Sequence, residues 1–189
     1  MFRQFVIEGD DGLTLIDAGY PDKQAAVFGA IRRLSRSPDQ LKHLIFTHSR
    51  LDHIGSAAAI VRVTGARTHM HPLDIPIAES GGPFRPLTPA PGLLGRMTCK
   101  VFFHPNERVN PIAIDQPLTA GELLPMAGGI EVIHASGHGA GQVALLGDFL
   151  DRNRCDEFGL ILRYQVRLSC GKALHDRPEG HYGSEPGRL

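Results

Sequence analysis

The first stretch with the residue types for chemistry is FTHSRLDHIGS, at residues 46–56. His48, Asp52 and His53 fall within six positions there, and the apolar run HLIF ends just before them. Imidazole nitrogen and carboxylate oxygen are ligands suited to Zn²⁺ and related divalent ions. A polar loop in which the aspartate caps the next helix would contain the same residues. The stretch alone therefore leaves a metal site and a capped loop equally open.

A second stretch, VIHASGHGAGQVALL at residues 132–146, contains two more histidines. His134 ends an apolar run, and His138 lies between glycines in what we expect to be a turn between strands. Glycine neighbours let such a side chain approach a site with little crowding. The alternatives are a surface histidine at position 138 and, at position 134, a strand-end residue bonded to the backbone. The stretch adds His138 to the candidate ligands.

Ordered elements must bring the two stretches together. The runs FVIE and LTLID, separated by GDDG, predict a β-hairpin. A helix is predicted after Pro21, with Asp22 as its N-cap. HLIF at residues 43–46 predicts a buried strand, and we expect the next helix to begin near Ile54 and to end at Gly65.

Strands and helices continue to alternate in the rest of the chain. RTHMH predicts a strand, and PLDIPIAES predicts a helical turn that starts at Pro72. Residues 80–98 are rich in Pro and Gly and predict a long loop, which the strand-like runs KVFF and NPIAID follow. The strand, glycine-rich turn and strand around His138 come next. This order is typical of an α/β protein with a layered sheet.

The sequence changes character after Leu146. Residues 151–189 are rich in Arg and His and show little apolar periodicity, so they predict an irregular, disordered tail. We expect one domain at residues 1–150 and this tail at residues 151–189. A shift of reading frame in the coding sequence shortly after Leu146 would explain the change, and the nucleotide sequence there tests it.

The composition restricts the classes of function. The chain has 189 residues, enough for one domain with a buried core. Lys+Arg and Asp+Glu both count 20, so the basic excess of nucleic-acid-binding proteins is missing. No apolar run reaches the roughly 20 residues of a membrane span. Cys99, Cys155 and Cys170 have no disulfide or zinc spacing. We therefore expect a cytoplasmic protein with neither a nucleic-acid nor a membrane partner.

Three motifs together resemble those of the metallo-β-lactamase-fold hydrolase superfamily. THSRLDHIG at residues 47–55 resembles the family motif T-H-x-H-x-D-H-x-G, and LTLIDAG at residues 13–19 resembles its earlier D-x-G turn. ASGHGAG at residues 135–141 resembles its later P-G-H-x-x-G loop. The resemblance runs in order from about residue 5 to residue 146. It implies an αββα sandwich, incomplete after about residue 146, with a metal site at one edge.

The resemblance also implies roles for these residues. His48 and His138 correspond to ligands of a first metal position, and Asp52 and His53 correspond to ligands of a second. The cofactor would be one or two Zn²⁺ ions or another divalent metal, and Asp52 would also hold or deprotonate the attacking water. A metal-bound hydroxide would attack an ester, thioester, lactone or related bond of a small-molecule substrate. Asp17 corresponds to a supporting acid, with capping of its own turn as the alternative.

The loop at residues 80–98 and His71 are expected to lie near the site without binding the metal. The loop at residues 80–98, with Phe84 and several prolines, is expected to form an apolar wall that favours esters or thioesters. His71 is expected to be a structural residue near the rim of the site.

The sequence departs from the family pattern in two places. Arg50 stands where the family has a third histidine of the first site, and a guanidinium has no lone pair for a metal. Asp148 is only a weak candidate for the aspartate that bridges the two metals in the family, and His175 and His181 lie in a segment without family character. The alternative function is therefore a degenerate, non-catalytic or truncated member with weak or no metal binding. Missing strands would also uncover sheet edges, so we expect self-association.

Overall fold

A five-stranded sheet carries the first histidine stretch at the end of its third strand. The computed structural model describes residues 4–85 and 107–147. The sheet begins with an antiparallel hairpin, and the later strands add in order as parallel neighbours. The strands are β1 (Phe5–Gly9), β2 (Gly12–Ile16), β3 (Leu41–Ile45), β4 (Arg67–Met70) and β5 (Gln116–Pro117). Because parallel strands end at the same edge, the segments after β2, β3 and β4 lie side by side.

Helices cover one face of this sheet. They are α1 (Gln24–Arg33), α2 (Leu51–Ile54), α3 (Ala57–Thr64) and α4 (Ile75–Ser80). Val27 and Ile31 of α1 are buried one turn apart and join Leu15 and Leu44 of the strands in one apolar cluster. Complete burial of each such side chain stabilises the fold by about 1.5–3 kcal/mol. The helix layer is therefore held on the sheet by a continuous apolar core.

A second sheet packs against the opposite face. It has three antiparallel strands, β6 (Leu123–Leu124), β7 (Ile130–His134) and β8 (Val143–Leu146). Val132 and Val143 point inward and share an apolar cluster with Ile16 and Ile45 of the first sheet, because successive strand residues face opposite sides. The described residues thus form helix, sheet and sheet, which are three layers of the expected αββα sandwich.

One backbone hydrogen bond joins the two sheets next to the histidine stretches. The N–H of Val143, at the start of β8, donates to the carbonyl of Thr47, just after β3, at 2.9 Å. This bond places the turn at residues 135–142 against the loop that follows β3. Two stretches separated by about 90 residues of sequence are brought together in this way.

Most of the predicted elements are confirmed. The first hairpin, the strand before His48, the α3 helix and the strand–turn–strand around His138 are all present. Gly65 ends α3 in the left-handed conformation, with φ of 65°. Asp22 is not the N-cap of α1: it lies in the preceding turn with φ of 61°, and Lys23 takes the cap position. The N–H of Lys23 is bonded instead to the Ser56 hydroxyl, at 2.9 Å.

Of three other predictions about secondary structure, two were wrong and one was confirmed. The single helix expected from near Ile54 to Gly65 is two helices, α2 and α3, and the first of them begins at Leu51, so that Asp52 and His53 lie in α2. The helical turn expected from Pro72 is present, because a turn starts at this residue and α4 follows it from Ile75. Residues 110–115 (NPIAID) form no strand, because their backbone bonds go elsewhere. The N–H of Ile112 donates to a carbonyl of α4 at 3.1 Å, for example.

Several predictions concern residues outside the described ranges. They are the KVFF strand, most of the loop at residues 80–98, the tail at residues 151–189, the three cysteines, and Asp148, His175 and His181. Among the helices that the structure describes, none has the length and apolar character needed to cross a membrane.

Candidate metal centre

Three histidines from two distant stretches meet at the carboxyl end of β3. His48 lies in the loop after β3, His53 in α2, and His138 in the turn between β7 and β8. The ring centroids of His48 and His53 are 4.0 Å apart, and those of His48 and His138 are 5.2 Å apart. Asp52 lies beside His53. The fold therefore brings all four predicted site residues to one place.

Asp17 orients this cluster from the end of β2. Its side chain is almost fully buried, and its φ of 58° is a conformation that aspartate adopts more readily than most residues. Oδ1 accepts the N–H of Thr47 at 2.9 Å, while Oδ2 accepts the Thr47 hydroxyl at 2.8 Å and Nδ1–H of His53 at 2.7 Å. Asp17 therefore holds the loop after β3 and the His53 ring rather than its own turn.

Thr47 sets the tautomer of His48. Its hydroxyl proton goes to Asp17, so its oxygen accepts Nδ1–H of His48, at 3.1 Å. Nε2 of His48 then carries a lone pair. This nitrogen is buried and has no hydrogen-bond partner within residues 4–85 and 107–147. A buried acceptor without a partner is costly, and this tautomer is the one in which Nε2 of an imidazole can bind a metal.

The two neighbouring imidazoles are held in opposite charge states. Burial, together with the charge of His53, lowers the pKa of His48 to about 4. Burial would lower the pKa of His53 as well, but the charge of Asp17 and its hydrogen bond raise it to about 10. Although burial opposes the shift, the hydrogen bond and charge of His53 lower the pKa of Asp52. At pH 7, His48 is thus neutral, and His53 is an imidazolium that contacts Asp17 through Nδ1 and Asp52 through Nε2.

The spacing of Asp52 and His53 suits a shared ion. Oδ2 of Asp52 lies 3.3 Å from Nε2 of His53. Two ligands of a tetrahedral Zn²⁺ with bonds of about 2.0–2.2 Å are about 3.3–3.6 Å apart. Because Nδ1 of His53 is bonded to Asp17, Nε2 is the nitrogen that would bind, and an ion there would displace its proton.

Arg50 lies beside His48 and His138, the candidate ligands of the first metal position. A cavity of about 10 Å³, with room for roughly one water or ion, lies between His48, His138, Arg50 and Arg85. Burial and then the charge of Arg50 lower the pKa of His138. Arg50 therefore does not turn away from the cavity. Its charge opposes a cation at this position, and it offers no lone pair.

The chemistry of these donors fits a divalent metal, although their spacing does not form a complete ligand shell. The lone pair of His48 and the Asp52–His53 pair are suitable ligands. Across the described ranges, however, no group of three or more His, Cys, Asp or Glu side chains is arranged to hold an ion. The ligand roles of His48, Asp52, His53 and His138 therefore stay predictions.

Two further histidines lie apart from this cluster. The rings of His71 and His134 stack with centroids 4.4 Å apart and planes 8° apart. Nε2–H of His134 donates to the Ala140 carbonyl at 2.8 Å, which is the backbone-bonded alternative expected for a strand-end histidine. Phe84 packs against the helix-side core, so this residue gives no support to the predicted apolar wall.

Thr47 and Asp74 are two residues of the site that the sequence motifs do not indicate individually. A hydroxyl residue between a buried strand and His48 is a usable signal for Thr47. Asp74 precedes α4 and has the sequence position of an N-cap, yet its side chain makes no cap bond. It accepts the N–H groups of Ser49 and Gly141 instead, at 2.7 and 3.1 Å. No local pattern indicates those partners.

The sequence profile of the metallo-beta-lactamase superfamily matches residues 4–149. The chain belongs to the metallo-β-lactamase superfamily. The matched range includes Asp17, the loop after β3 and the turn with His138, which are the three motifs that carried the resemblance. The predicted family and the predicted αββα-type fold are thereby confirmed. No match was found among curated protein sequences.

Solved metallo-β-lactamases share the fold of this superfamily member. The class B3 di-zinc metallo-β-lactamase LRA-12 from an Alaskan soil metagenome is similar with a TM-score of 0.66 and 21% identity, over 82% of this chain and 53% of its own. MIM-1 from Novosphingobium pentaromativorans is similar with a TM-score of 0.61 and 25% identity, over 75% and 48%. The chain spans about half the length of the metallo-β-lactamases that it matches.

A third similar structure has a related motif. It is a metallo-β-lactamase from Cronobacter sakazakii described by its HARLDQ motif, with a TM-score of 0.62 and 18% identity over 76% of this chain and 52% of its own. Residues 48–53 of this chain read HSRLDH. The two hexapeptides share His, Arg, Leu and Asp in the same order.

Proposed function

We propose that this chain carries the ligand-bearing half of a metal-dependent hydrolase active site. The metal would be Zn²⁺, and the substrate would be a small molecule with an ester, thioester, lactone or related bond. The observation that carries the proposal is the convergence of His48, His53 and His138 beside Asp52 at the end of β3. Membership of the superfamily supports the reaction class. Cytoplasmic location stays a prediction from the composition.

Each residue of the cluster has a definite task in this proposal. His48 and His138 would hold a first ion, and Asp52 and His53 would hold a second. When bound, a divalent ion supplies a nucleophile from water at neutral pH and polarises the bond under attack. Thr47 keeps the lone pair of His48 on Nε2. Asp52, with a 12% exposed side chain and a lowered pKa, is ionised, and it would hold or deprotonate the attacking water.

Metal binding and turnover by the full chain test the proposal. Zinc affinity is measured by competition with a chromophoric chelator, and turnover is measured with a thioester, a lactone, a simple ester and a β-lactam. His48→Gln should weaken zinc binding at least about 10-fold, because it removes the lone pair that Thr47 orients. His71→Gln is the matched control, since this histidine lies outside the cluster, and it should bind as wild type does. A wild-type chain that binds no zinc would refute the proposal.

A non-catalytic member of the superfamily is the second candidate. Arg50 favours it, because this residue lines the cavity beside His48 and His138 and cannot bind a metal. The half-length match to the solved relatives favours it too. The arginine of the Cronobacter motif weighs in the other direction. Turnover by the zinc-loaded chain that His48→Gln abolishes would support the hydrolase, and zinc binding without any turnover would support the second candidate.

A further inference from the structure

Asp74 connects the two loops that carry the candidate ligands of the first metal position. It lies between β4 and α4 and is 2% exposed. Its Oδ2 accepts the N–H of Ser49 at 2.7 Å, and its Oδ1 accepts the N–H of Gly141 at 3.1 Å. Ser49 directly follows His48, and Gly141 lies three residues after His138. One carboxylate therefore bridges the loop after β3 and the turn between β7 and β8.

The contact between Asp74 and Gly141 is close enough to require glycine. A Cβ atom at position 141 would lie 2.6 Å from both Cγ and Oδ1 of Asp74, inside the distance that real Cβ atoms keep. Asp74 cannot retreat without stretching its bond to Ser49 on the other side. Absence of a side chain at position 141 thus allows the turn to approach the carboxylate directly.

Arg85 compensates the charge of this buried carboxylate. One terminal nitrogen of its guanidinium lies 3.0 Å from Oδ1 of Asp74, and the other donates to the Leu73 carbonyl. A buried carboxylate is stable when charge-assisted hydrogen bonds satisfy it. The bridge is therefore fully bonded, with two backbone donors and one guanidinium.

We propose that Asp74 is a positioning residue that sets the separation of His48 and His138, and through it the zinc affinity of the first metal position. The inference rests on the proposed function. Asp74 acts through the backbone on both sides of the cavity, by its bonds to Ser49 and Gly141. Loss of one bond frees one loop, and the lone pair of His48 and the ring of His138 then no longer share a fixed geometry.

Asp74→Asn tests this role with almost no change in size. The amide has one oxygen, so one of the two backbone N–H groups loses its acceptor and faces an NH₂ group. We expect zinc affinity to fall about 10-fold or more and hydrogen–deuterium exchange at residues 137–142 to become faster. Asp115→Asn is the control. Asp115 accepts the N–H of Thr68 at 2.8 Å, away from the centre, and its loss should leave zinc affinity unchanged.

Gly141→Ala tests the bridge from the other side and keeps the carboxylate. The added methyl group should push the turn from Asp74 and lower zinc affinity in the same direction, and this variant decides the matter if Asp74→Asn does not fold. The inference is overturned if both variants bind zinc as wild type does, or if Asp115→Asn loses as much affinity. A wild-type chain without zinc affinity would refute the proposed function instead. The exchange rates at residues 137–142 would then still decide whether Asp74 holds the turn.

Discussion

Thr47→Val removes a single hydroxyl from the hydrogen-bonded chain behind the candidate metal centre. Valine keeps the branched shape of the side chain, and the N–H bond from residue 47 to Asp17 persists because it belongs to the backbone. The 2.8 Å bond to Asp17 Oδ2 and the 3.1 Å bond from His48 Nδ1 are both lost. Since His48 is only 5% exposed, water cannot freely replace the missing acceptor.

The cost of this change divides between stability and metal affinity. A buried imidazole N–H without an acceptor destabilises the fold by about 1–3 kcal/mol. His48 can escape part of this cost by moving its proton from Nδ1 to Nε2, the nitrogen proposed to bind the ion. Removal of the group that fixes a ligand tautomer lowers metal affinity by about 10- to 100-fold. We therefore expect a moderate loss of stability together with a loss of zinc affinity in that range.

Urea unfolding and chelator competition measure the two effects separately. Thr68→Val is a matched control, because the Thr68 hydroxyl is also buried and bonded to a carboxylate, that of Asp115, at 2.9 Å. The control should lose comparable stability and keep its zinc affinity. If Thr47→Val binds zinc as tightly as wild type, or if the control loses as much affinity, the assigned tautomer is wrong.

Three other outcomes follow from the structure. Arg50→His should strengthen zinc binding, because an imidazole donor replaces a cation at the cavity. An unchanged zinc affinity would mean that Arg50 does not weaken metal binding. Burial and the neighbouring His43 lower the pKa of His69 to about 4. The free energy of unfolding should therefore be highest above pH 6.5 and fall as the pH is lowered towards 4, by roughly 3 kcal/mol at most from this residue. His69→Asn should make the urea midpoint depend less on pH across this interval, and an unchanged pH dependence would contradict the lowered pKa of His69. Leu123 and Leu146, 71% and 48% exposed, lie on the outer face of the second sheet. We therefore predict that the chain self-associates through this face and that Leu146→Glu reduces the association. Size-exclusion chromatography that shows a wild-type monomer at every concentration would contradict this prediction.

The residue types of the candidate metal centre were predictable from the sequence, but the hydrogen bonds between them were not. The apolar run before His48 and the glycines around His138 place both histidines where strands end, and this is where the structure has them. Arg50 was predictable as a non-ligand from its chemistry alone. The boundaries of α2 and the missing strand at residues 110–115 were not predictable, because hydrogen bonds to distant elements override the local apolar pattern.

Most of the elements, the order of the three motifs and the candidate ligands follow from the sequence alone, since strand and helix periodicity and side-chain chemistry are local properties of the chain. The charge states of His48 and His53 and the bridge formed by Asp74, in contrast, arise from contacts between distant parts of the chain. The hydrogen bonds of Asp74 join residues separated by 25 and 67 positions. Ser49 reaches Asp74 only once β3 and β4 have paired, and Gly141 reaches it only once the two sheets have packed, so no pattern of neighbouring residues indicates either partner.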